Sequence, residues 1–175
     1  MSGPDEPSPP SAGGPAAAHR CIVCKRGSPV TLRPAGPADE AALCGMFDAF
    51  EPKESAQGLP PADSQQRAAW VHKLLCEPVN VIAESDGRPV GHACLLEMDP
   101  GERGELEIMM HQDWRNRGVG NALLALLCDL ARERGFRRIW LSVDARNSRA
   151  IRVYRNNGFA LQGPMDLEIE MERRL

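Results

Sequence analysis

The spacing of hydrophobic and polar residues predicts a strand and two helices in the first half of the chain. Val30 and Leu32 alternate with polar residues, which indicates a strand that ends at Pro34. Residues 37–50 carry apolar side chains at helical spacing, so we expect a helix there. A second helix is expected after Asp63, because an aspartate three residues before a glutamine is typical of a capping box.

The second half of the chain predicts a β-hairpin followed by alternating strands and helices. The turn "SDGR" joins two apolar runs, and "ELEIMM" predicts a further strand. A leucine stripe predicts a helix from about Gly118 to Arg134, and a shorter helix begins at Asn147 or Ser148. With strands at "RRIWLSV", "FALQG" and "DLEIEME", the expected fold is α/β (α+β), a mixed central sheet of about six to seven strands flanked by helices.

The first residues differ from the rest in composition. Pro, Gly, Ser and Ala dominate them, which predicts a disordered tail over residues 1–28 and one domain over residues 29–175. Cys21 and Cys24 form a lone C-x-x-C pair in this tail. Because no second pair of Cys or His ligands follows, we expect no metal site.

Charge and hydropathy exclude several classes of partner. The net charge of −3 gives no general attraction to nucleic acid or to an anionic membrane surface. No apolar run approaches the roughly 20 residues of a membrane span, and the N-terminus lacks the features of a secretory signal. Most cysteines lie within apolar patterns, as free thiols do in a reducing compartment, so we expect a cytoplasmic protein.

The stretch "RNRGVGNALL", residues 115–124, predicts an anion-binding site. A helix N-terminus leaves about four backbone N–H groups without intrahelical acceptors, and the helix dipole places partial positive charge there. Gly118 and Gly120 remove side chains that would keep a ligand away from these groups. Arg115 and Arg117 add cationic donors, so a pyrophosphate is the simplest ligand.

Three ligand classes use such a loop, and the residues favour one of them. A nucleotide-binding P-loop requires a lysine after the glycines, and none follows. A dinucleotide-binding turn requires a third glycine, where this chain has Leu123. An acyl-coenzyme A site needs only the basic residue and the two glycines.

Two segments resemble the GCN5-related N-acetyltransferase (GNAT) family. "MHQDWRNRGVGNALL" is similar to that family's strand end, R-x-x-G-x-G loop and leucine-rich helix. "RRIWLSVDARNSRAIRVYRNNGF" is similar to its later strand, asparagine turn and helix ending in Tyr-x-x-x-Gly-Phe. The resemblance runs from about Val30 to the C-terminus. It implies the GNAT fold and transfer of an acetyl group from acetyl-CoA to a primary amine, by direct attack in a ternary complex.

The resemblance also implies which residues hold the coenzyme. Met110 lies where the family's strand splays from its neighbour, and its backbone is expected to contact the acetyl and pantetheine groups. Asn147 matches an asparagine near the pantetheine, although helix capping explains it equally well. The pyrophosphate is expected to accept hydrogen bonds from the loop backbone at Arg115, Asn116, Arg117, Gly118, Gly120 and Asn121.

The expected catalytic residues are Tyr154, Glu105 and Glu107. The resemblance implies that Tyr154 donates a proton to the departing thiolate, which suits a phenol with a pKa of about 10. Glu105 and Glu107 share one face of a predicted strand, and either could deprotonate the amine, directly or through water. Both could instead be solvated carboxylates. Ser142 stands where ribosomal-protein N-terminal acetyltransferases carry a glutamate, so a base from that strand is not expected.

The acceptor is left open by the sequence. In this family it is selected largely by the segment between the first two helices, where Glu51 and Glu54 could attract an amine. A small amine, an antibiotic, and a protein lysine or N-terminus all remain candidates, and a homodimer is also left open. The alternatives to an enzyme are a non-catalytic acyl-CoA-binding module and, less favoured, a nucleotide-binding module.

Overall fold

The computed structural model describes residues 19–53, 59–164 and 166–175. Within these ranges the chain forms eight strands and four α-helices. The strands are β1 (Arg20–Val23), β2 (Pro29–Pro34), β3 (Val79–Ser85), β4 (Arg88–Asp99), β5 (Arg103–Met110), β6 (Arg138–Asp144), β7 (Ala160–Gln162) and β8 (Glu168–Arg174). The helices are α1 (Glu40–Asp48), α2 (Ser64–Leu75), α3 (Val119–Glu133) and α4 (Ser148–Asn156).

The strands form one mixed sheet in the order β1-β2-β3-β4-β5-β6-β8-β7. Every neighbouring pair is antiparallel except β5 and β6, which are parallel and are connected by α3. The predicted mixed sheet flanked by helices is confirmed. The strand count exceeds the expected six to seven, because the sequence reading missed β1.

The predicted disordered tail is wrong for residues 20–28. Strand β1 pairs with β2, Arg20 forms a 2.6 Å ion pair with Asp129 of α3, and Cys24 is buried in the main core. The strand is only four residues long and lies beside a segment rich in Pro, Gly, Ser and Ala, so composition hid it despite the strand preference of Ile22 and Val23. Residues 1–18 of the predicted tail lie outside the described residues.

Two apolar clusters cover the two faces of the sheet. On one face, the leucine stripe of α3 packs against alternate residues of the strands; Leu123, Leu127, Leu106 and Ile139 belong to this cluster. On the other face, the helices α1 and α2 cover β3 and the end of β5 through a second cluster that includes Leu43, Phe47, Val71, Ile82 and Met109. Alternation along each strand therefore decides which helix layer a side chain meets.

Strands β5 and β6 diverge after a short stretch of pairing. Their pairs run from Arg103 with Arg138 to Glu105 with Trp140, and β6 then continues beside β8 up to Asp144. The last five residues of β5, which include Glu107 and Met110, therefore have no partner strand on the β6 side. Pairing stops two residues before Glu107, so the gap reaches deeper into the sheet than Met110, where the sequence analysis placed the splay.

Side-chain caps place the helices as predicted. Asp63 accepts a hydrogen bond from the Gln66 amide at the start of α2, and Asn147 accepts one from the Ala150 amide at the start of α4. Among the described segments, no helix combines the length and the apolar character needed to cross a membrane.

Candidate active site

The loop between β5 and α3 presents backbone amides at a helix N-terminus. Gly118 is the residue before α3 and adopts a left-handed conformation with φ of 86°. The first intrahelical bond joins the Ala122 amide to the Gly118 carbonyl at 3.4 Å. The amides of Val119, Gly120 and Asn121 precede this bond and have no acceptor within the helix. This arrangement is the predicted anion site.

The two glycines of the loop serve different purposes. Gly118 is needed for its left-handed backbone, which other L-residues adopt only with strain. Gly120 keeps the first turn of α3 bare beside Met110, since a Cβ there would be in van der Waals contact with Cγ of Met110, at 3.4 Å. The Met110 side chain also contacts Gly91 of β4, where a Cβ would overlap its sulfur atom. Met110 therefore fills the space between β4 and the first turn of α3, while its backbone lines the gap in the sheet.

Arg115 does not face the anion site as predicted. Its Nε donates to the Met110 carbonyl at 3.0 Å, and its Nη2 donates to the Glu51 carbonyl at 2.8 Å. The guanidinium carbon also lies 5.0 Å from the centre of the Phe50 ring. The Arg115 amide itself donates to the Gln112 carbonyl at 3.4 Å. The guanidinium of Arg115 therefore links the loop to the segment that follows α1, and the Arg115 amide bonds within the loop itself.

The side chains of Arg117 and Asn121 contact other residues of the protein. The guanidinium of Arg117 stacks 4.6 Å from the Trp114 ring centre, and its buried Nε has no hydrogen-bond partner in the described structure. Asn116 is left-handed with φ of 62°. The side-chain oxygen of Asn121 accepts a 2.9 Å hydrogen bond from Asn157, which joins α3 to the end of α4.

Glu105 and Glu107 lie on the face of β5 opposite to Leu106, as the strand pattern predicts. Burial raises the pKa of Glu107 to about 7, and the neighbouring charge of Glu105 adds to this effect. Across the β4–β5 ladder Glu107 is opposite Cys94, whose thiol pKa is raised by burial and then by the Glu107 charge. Glu107 is therefore poised to gain or lose a proton near neutral pH.

Tyr154 is on α4, where its ring packs against Phe159 with 5.8 Å between ring centres. Burial, with a smaller contribution from the Glu107 charge, raises the pKa of Tyr154 to about 12. The ionised carboxyl of Glu107 therefore disfavours ionisation of the Tyr154 phenol through their charge–charge interaction. At neutral pH the Tyr154 hydroxyl is fully protonated and is a permanent hydrogen-bond donor.

The other positions that the sequence analysis named lie outside the loop. Asn147 is the N-cap of α4, and the Ala150 amide donates to its side-chain oxygen at 3.2 Å. The hydroxyl of Ser142 donates to Glu168 of β8 at 3.1 Å, so this strand position holds a hydroxyl–carboxylate pair. The Glu51 carboxylate lies 3.2 Å from the Lys53 ammonium, and Glu54 lies outside the described residues.

The sequence analysis missed Lys25, which the structure places beside the loop. The Lys25 amide donates to the Arg117 carbonyl at 3.0 Å. Its signal in the sequence was weak, because it stands next to the lone C-x-x-C pair and far from the glycines along the chain. Within the described ranges, no three His, Cys, Asp or Glu side chains are grouped so that they could hold a metal ion.

Comparison with known proteins agrees with this geometry. The model of the acetyltransferase (GNAT) family matches residues 44–159, which is well over half of the chain. An L-methionine sulfoximine/L-methionine sulfone acetyltransferase of Pseudomonas paraeruginosa is 28% identical over 142 residues, which cover 77% of this chain and 83% of that protein.

Solved structures show the same fold. The GNAT domain of an S. lividans protein, PAT, superposes with a TM-score of 0.77 at 21% identity, covering 93% of this chain and 99% of that domain. A putative acetyltransferase from Salmonella typhimurium, solved with its cofactor acetyl-CoA, has a TM-score of 0.66 at 23% identity and covers 83% of this chain and 94% of its own. The chain therefore belongs to the GNAT family of acetyltransferases.

Proposed function

We propose that this protein transfers the acetyl group of acetyl-CoA to a small-molecule primary amine at the gap between β5 and β6. The observation that supports the proposal is the electrostatic coupling between a carboxyl beside this gap, whose pKa is about 7, and a phenol whose pKa is about 12. Titratable groups whose pKa values are strongly shifted by burial and by a specific charge partner are typical of functional sites.

The loop residues fit the coenzyme. The amides of Val119, Gly120 and Asn121 would donate to the pyrophosphate, together with those of Asn116, Arg117 and Gly118. A side chain at Gly118 would extend from the Cβ position next to Lys25 and would strain the left-handed backbone of this loop. Met110 would line the path of the pantetheine arm toward the gap, and Asn147 would do so from the start of α4. Bound there, acetyl-CoA supplies an activated thioester.

Glu107 is the proposed general base. An alkylammonium acceptor is mostly protonated at neutral pH, and only the free amine attacks a thioester. The ionised carboxylate of Glu107 would take this proton, directly or through one water molecule. A base with a pKa of about 7 is half ionised at neutral pH and is close to the best compromise between availability and strength. Glu105 would hold the second negative charge, which attracts the cationic amine.

Tyr154 is the proposed donor to the leaving sulfur. As the C–S bond breaks, negative charge develops on the sulfur, and the hydroxyl of Tyr154 would donate to it. A thiol has a pKa of about 8.5, so complete transfer from a phenol with a pKa of about 12 would be uphill by roughly 5 kcal/mol. The high pKa therefore favours stabilisation through a hydrogen bond, with solvent supplying the final proton to the thiolate.

A covalent route through Cys128 is disfavoured. Cys128 is fully buried in the core under α3, and burial raises its pKa to about 11. A nucleophilic thiol needs the opposite, an accessible site with a lowered pKa. Direct attack by the amine within a ternary complex is therefore the proposed order of bond changes.

The proposed acceptor is small because the named relative acetylates an amino-acid analogue, L-methionine sulfoximine or sulfone. The test is to incubate the protein with acetyl-CoA and a panel of amino-acid analogues, other small amines and peptides. Free thiol release and the mass of the product are then measured. The proposal predicts thiol release only with particular small amines and a product that is heavier by one acetyl group. Tight acetyl-CoA binding without acceptor-dependent release would favour the non-catalytic module instead.

A further inference from the structure

The segment between β1 and β2 is fixed beside the coenzyme loop. The ion pair between Arg20 and Asp129 and the burial of Cys24 hold this hairpin against α3. The turn is closed by hydrogen bonds from the Cys24 amide to the Ser28 carbonyl at 2.9 Å and from the Gly27 amide to the Cys24 carbonyl at 2.8 Å. A further bond from the Lys25 amide to the Arg117 carbonyl, at 3.0 Å, joins the turn to the loop.

This anchoring places the side chain of Lys25 over Gly118. Its Cγ and its Cε each lie 3.7 Å from the position that a Cβ on Gly118 would occupy. The aliphatic part of the lysine therefore runs past the residue that opens α3. Lys25 is exposed, and no carboxylate lies within ion-pair distance of its ammonium in the parts of the chain that the structure describes.

The guanidinium groups of the other two cations near the loop already contact other parts of the protein. Arg115 donates to the carbonyls of Met110 and Glu51, and Arg117 stacks on Trp114. A ligand with two phosphate charges at the first turn of α3 would gain most from a mobile cation beside the amides. Lys25 has the position and the unpaired charge for this role.

We infer that the Lys25 ammonium binds the pyrophosphate of the coenzyme, as a contribution from the N-terminal hairpin to the site. The inference rests on the proposed function, because it requires the pyrophosphate to lie at the first turn of α3. Lys25 lies outside residues 44–159, which the family model matches, so the hairpin adds to the part of the chain that the family shares.

The test is calorimetry with three ligands: acetyl-CoA, 3′-dephospho-acetyl-CoA and S-acetylpantetheine. Lys25→Met keeps the backbone amide and most of the aliphatic stem but removes the charge. Lys73→Met is the matched control, because Lys73 lies on α2, away from the loop. We expect Lys25→Met to weaken acetyl-CoA binding about five- to tenfold at low salt, and the difference to shrink as salt is added. Lys25→Arg should keep most of the affinity.

The three ligands distinguish the sources of any effect. The inference predicts that the Lys25→Met penalty persists with 3′-dephospho-acetyl-CoA and disappears with S-acetylpantetheine. Equal affinities of wild type and Lys25→Met for acetyl-CoA would overturn the inference and leave the proposed function intact. A penalty that vanishes with the dephospho ligand would overturn the pyrophosphate assignment. If the wild-type protein binds acetyl-CoA no better than S-acetylpantetheine, the loop is not a pyrophosphate site and the proposed function fails as well.

Discussion

Glu105 and Trp140 form the last residue pair between the parallel strands β5 and β6, and Glu107 follows two residues beyond it. The end of pairing at this point opens the sheet where a carboxyl with a raised pKa is located. Regular pairing along all of β5 would place β6 beside Glu107 and leave no room for a substrate there. The chemistry that we propose thus depends on where one strand pair stops.

The pH dependence of the reaction should report the ionisation of Glu107. Only the ionised form of Glu107 can accept the proton of the amine, so kcat/KM should rise as pH increases through about 7. Any further change caused by the ionisation of the acceptor amine should appear at higher pH. Glu107→Gln should lower kcat about 100-fold or more and remove this limb. Glu105→Gln is the control and should cost less. A limb that survives in Glu107→Gln would assign the base to another group.

The same substitution should make the protein more stable at alkaline pH. The folded state holds the Glu107 proton up to about pH 7, whereas the unfolded chain releases it near its ordinary value of 4.5. The contribution of Glu107 to stability therefore falls as pH rises from about 4.5 to about 7 and stays low above that. Ionised Glu107 costs up to about 3 kcal/mol, so Glu107→Gln should raise the free energy of unfolding at pH 8. Denaturant titrations of wild type and Glu107→Gln at pH 4.5 and pH 8 measure this free energy of unfolding. Equal free energies of unfolding for the two proteins at pH 8 would argue against the buried charge.

Tyr154→Phe should separate chemistry from binding. The ring still packs on Phe159, but the hydrogen bond to the leaving sulfur is lost. We expect kcat to fall about 10- to 100-fold, the cost of one hydrogen bond to a charged group, with the affinity for acetyl-CoA unchanged. Steady-state kinetics and calorimetry together decide this point. Unchanged turnover would mean that water alone stabilises the thiolate.

His92 should make the protein sensitive to acid. The side chain of Asn80 donates to the carbonyls of Leu74 and Glu77, so its oxygen accepts from His92 Nε2, at 2.9 Å. Burial lowers the pKa of His92 to about 4, from an ordinary value of 6.5. The unfolded state therefore binds a proton first as pH falls, and about 3 kcal/mol of stability is lost between pH 6.5 and pH 4.

His92→Gln tests this prediction because it keeps a neutral donor and removes the titration. The variant should be less stable than wild type at pH 7 and should lose less stability between pH 6.5 and pH 4. His72→Gln, at an exposed position of α2, is the control. As pH falls over nearly the same range, Glu107 raises the stability of the protein whereas His92 lowers it. The two effects partly cancel in the wild type, so Glu107→Gln and His92→Gln are each needed to reveal them. Parallel stability curves for wild type and His92→Gln would contradict the assignment.

The sequence predicted the parts of the fold that local patterns encode. The helix stripes, the caps at Asp63 and Asn147, and the alternation of Glu105 and Glu107 with Leu106 all follow from spacing alone. The strand at Arg20–Val23 could not be predicted, because its order comes from pairing with β2 and from the contact with Asp129.

The sequence also could not predict the directions in which individual side chains point. Arg115 stands in the loop motif, and no pattern indicates that its guanidinium turns back to the carbonyls of Met110 and Glu51. Likewise, the sequence could not show that the Met110 side chain packs against Gly91, where a Cβ would overlap its sulfur atom. The raised pKa of Glu107 depends on burial by distant elements, which only the assembled sheet defines.

The central claim is that the first turn of α3 holds the coenzyme, and one comparison tests it most directly. Acetyl-CoA binding is measured by calorimetry for wild type, Gly118→Glu and Gly45→Glu. Gly118→Glu places a side chain and a negative charge in the anion site, whereas Gly45 lies on α1 with open space around it. We predict that Gly118→Glu abolishes binding while Gly45→Glu binds as wild type does. Unchanged affinity in a folded Gly118→Glu protein would contradict the account.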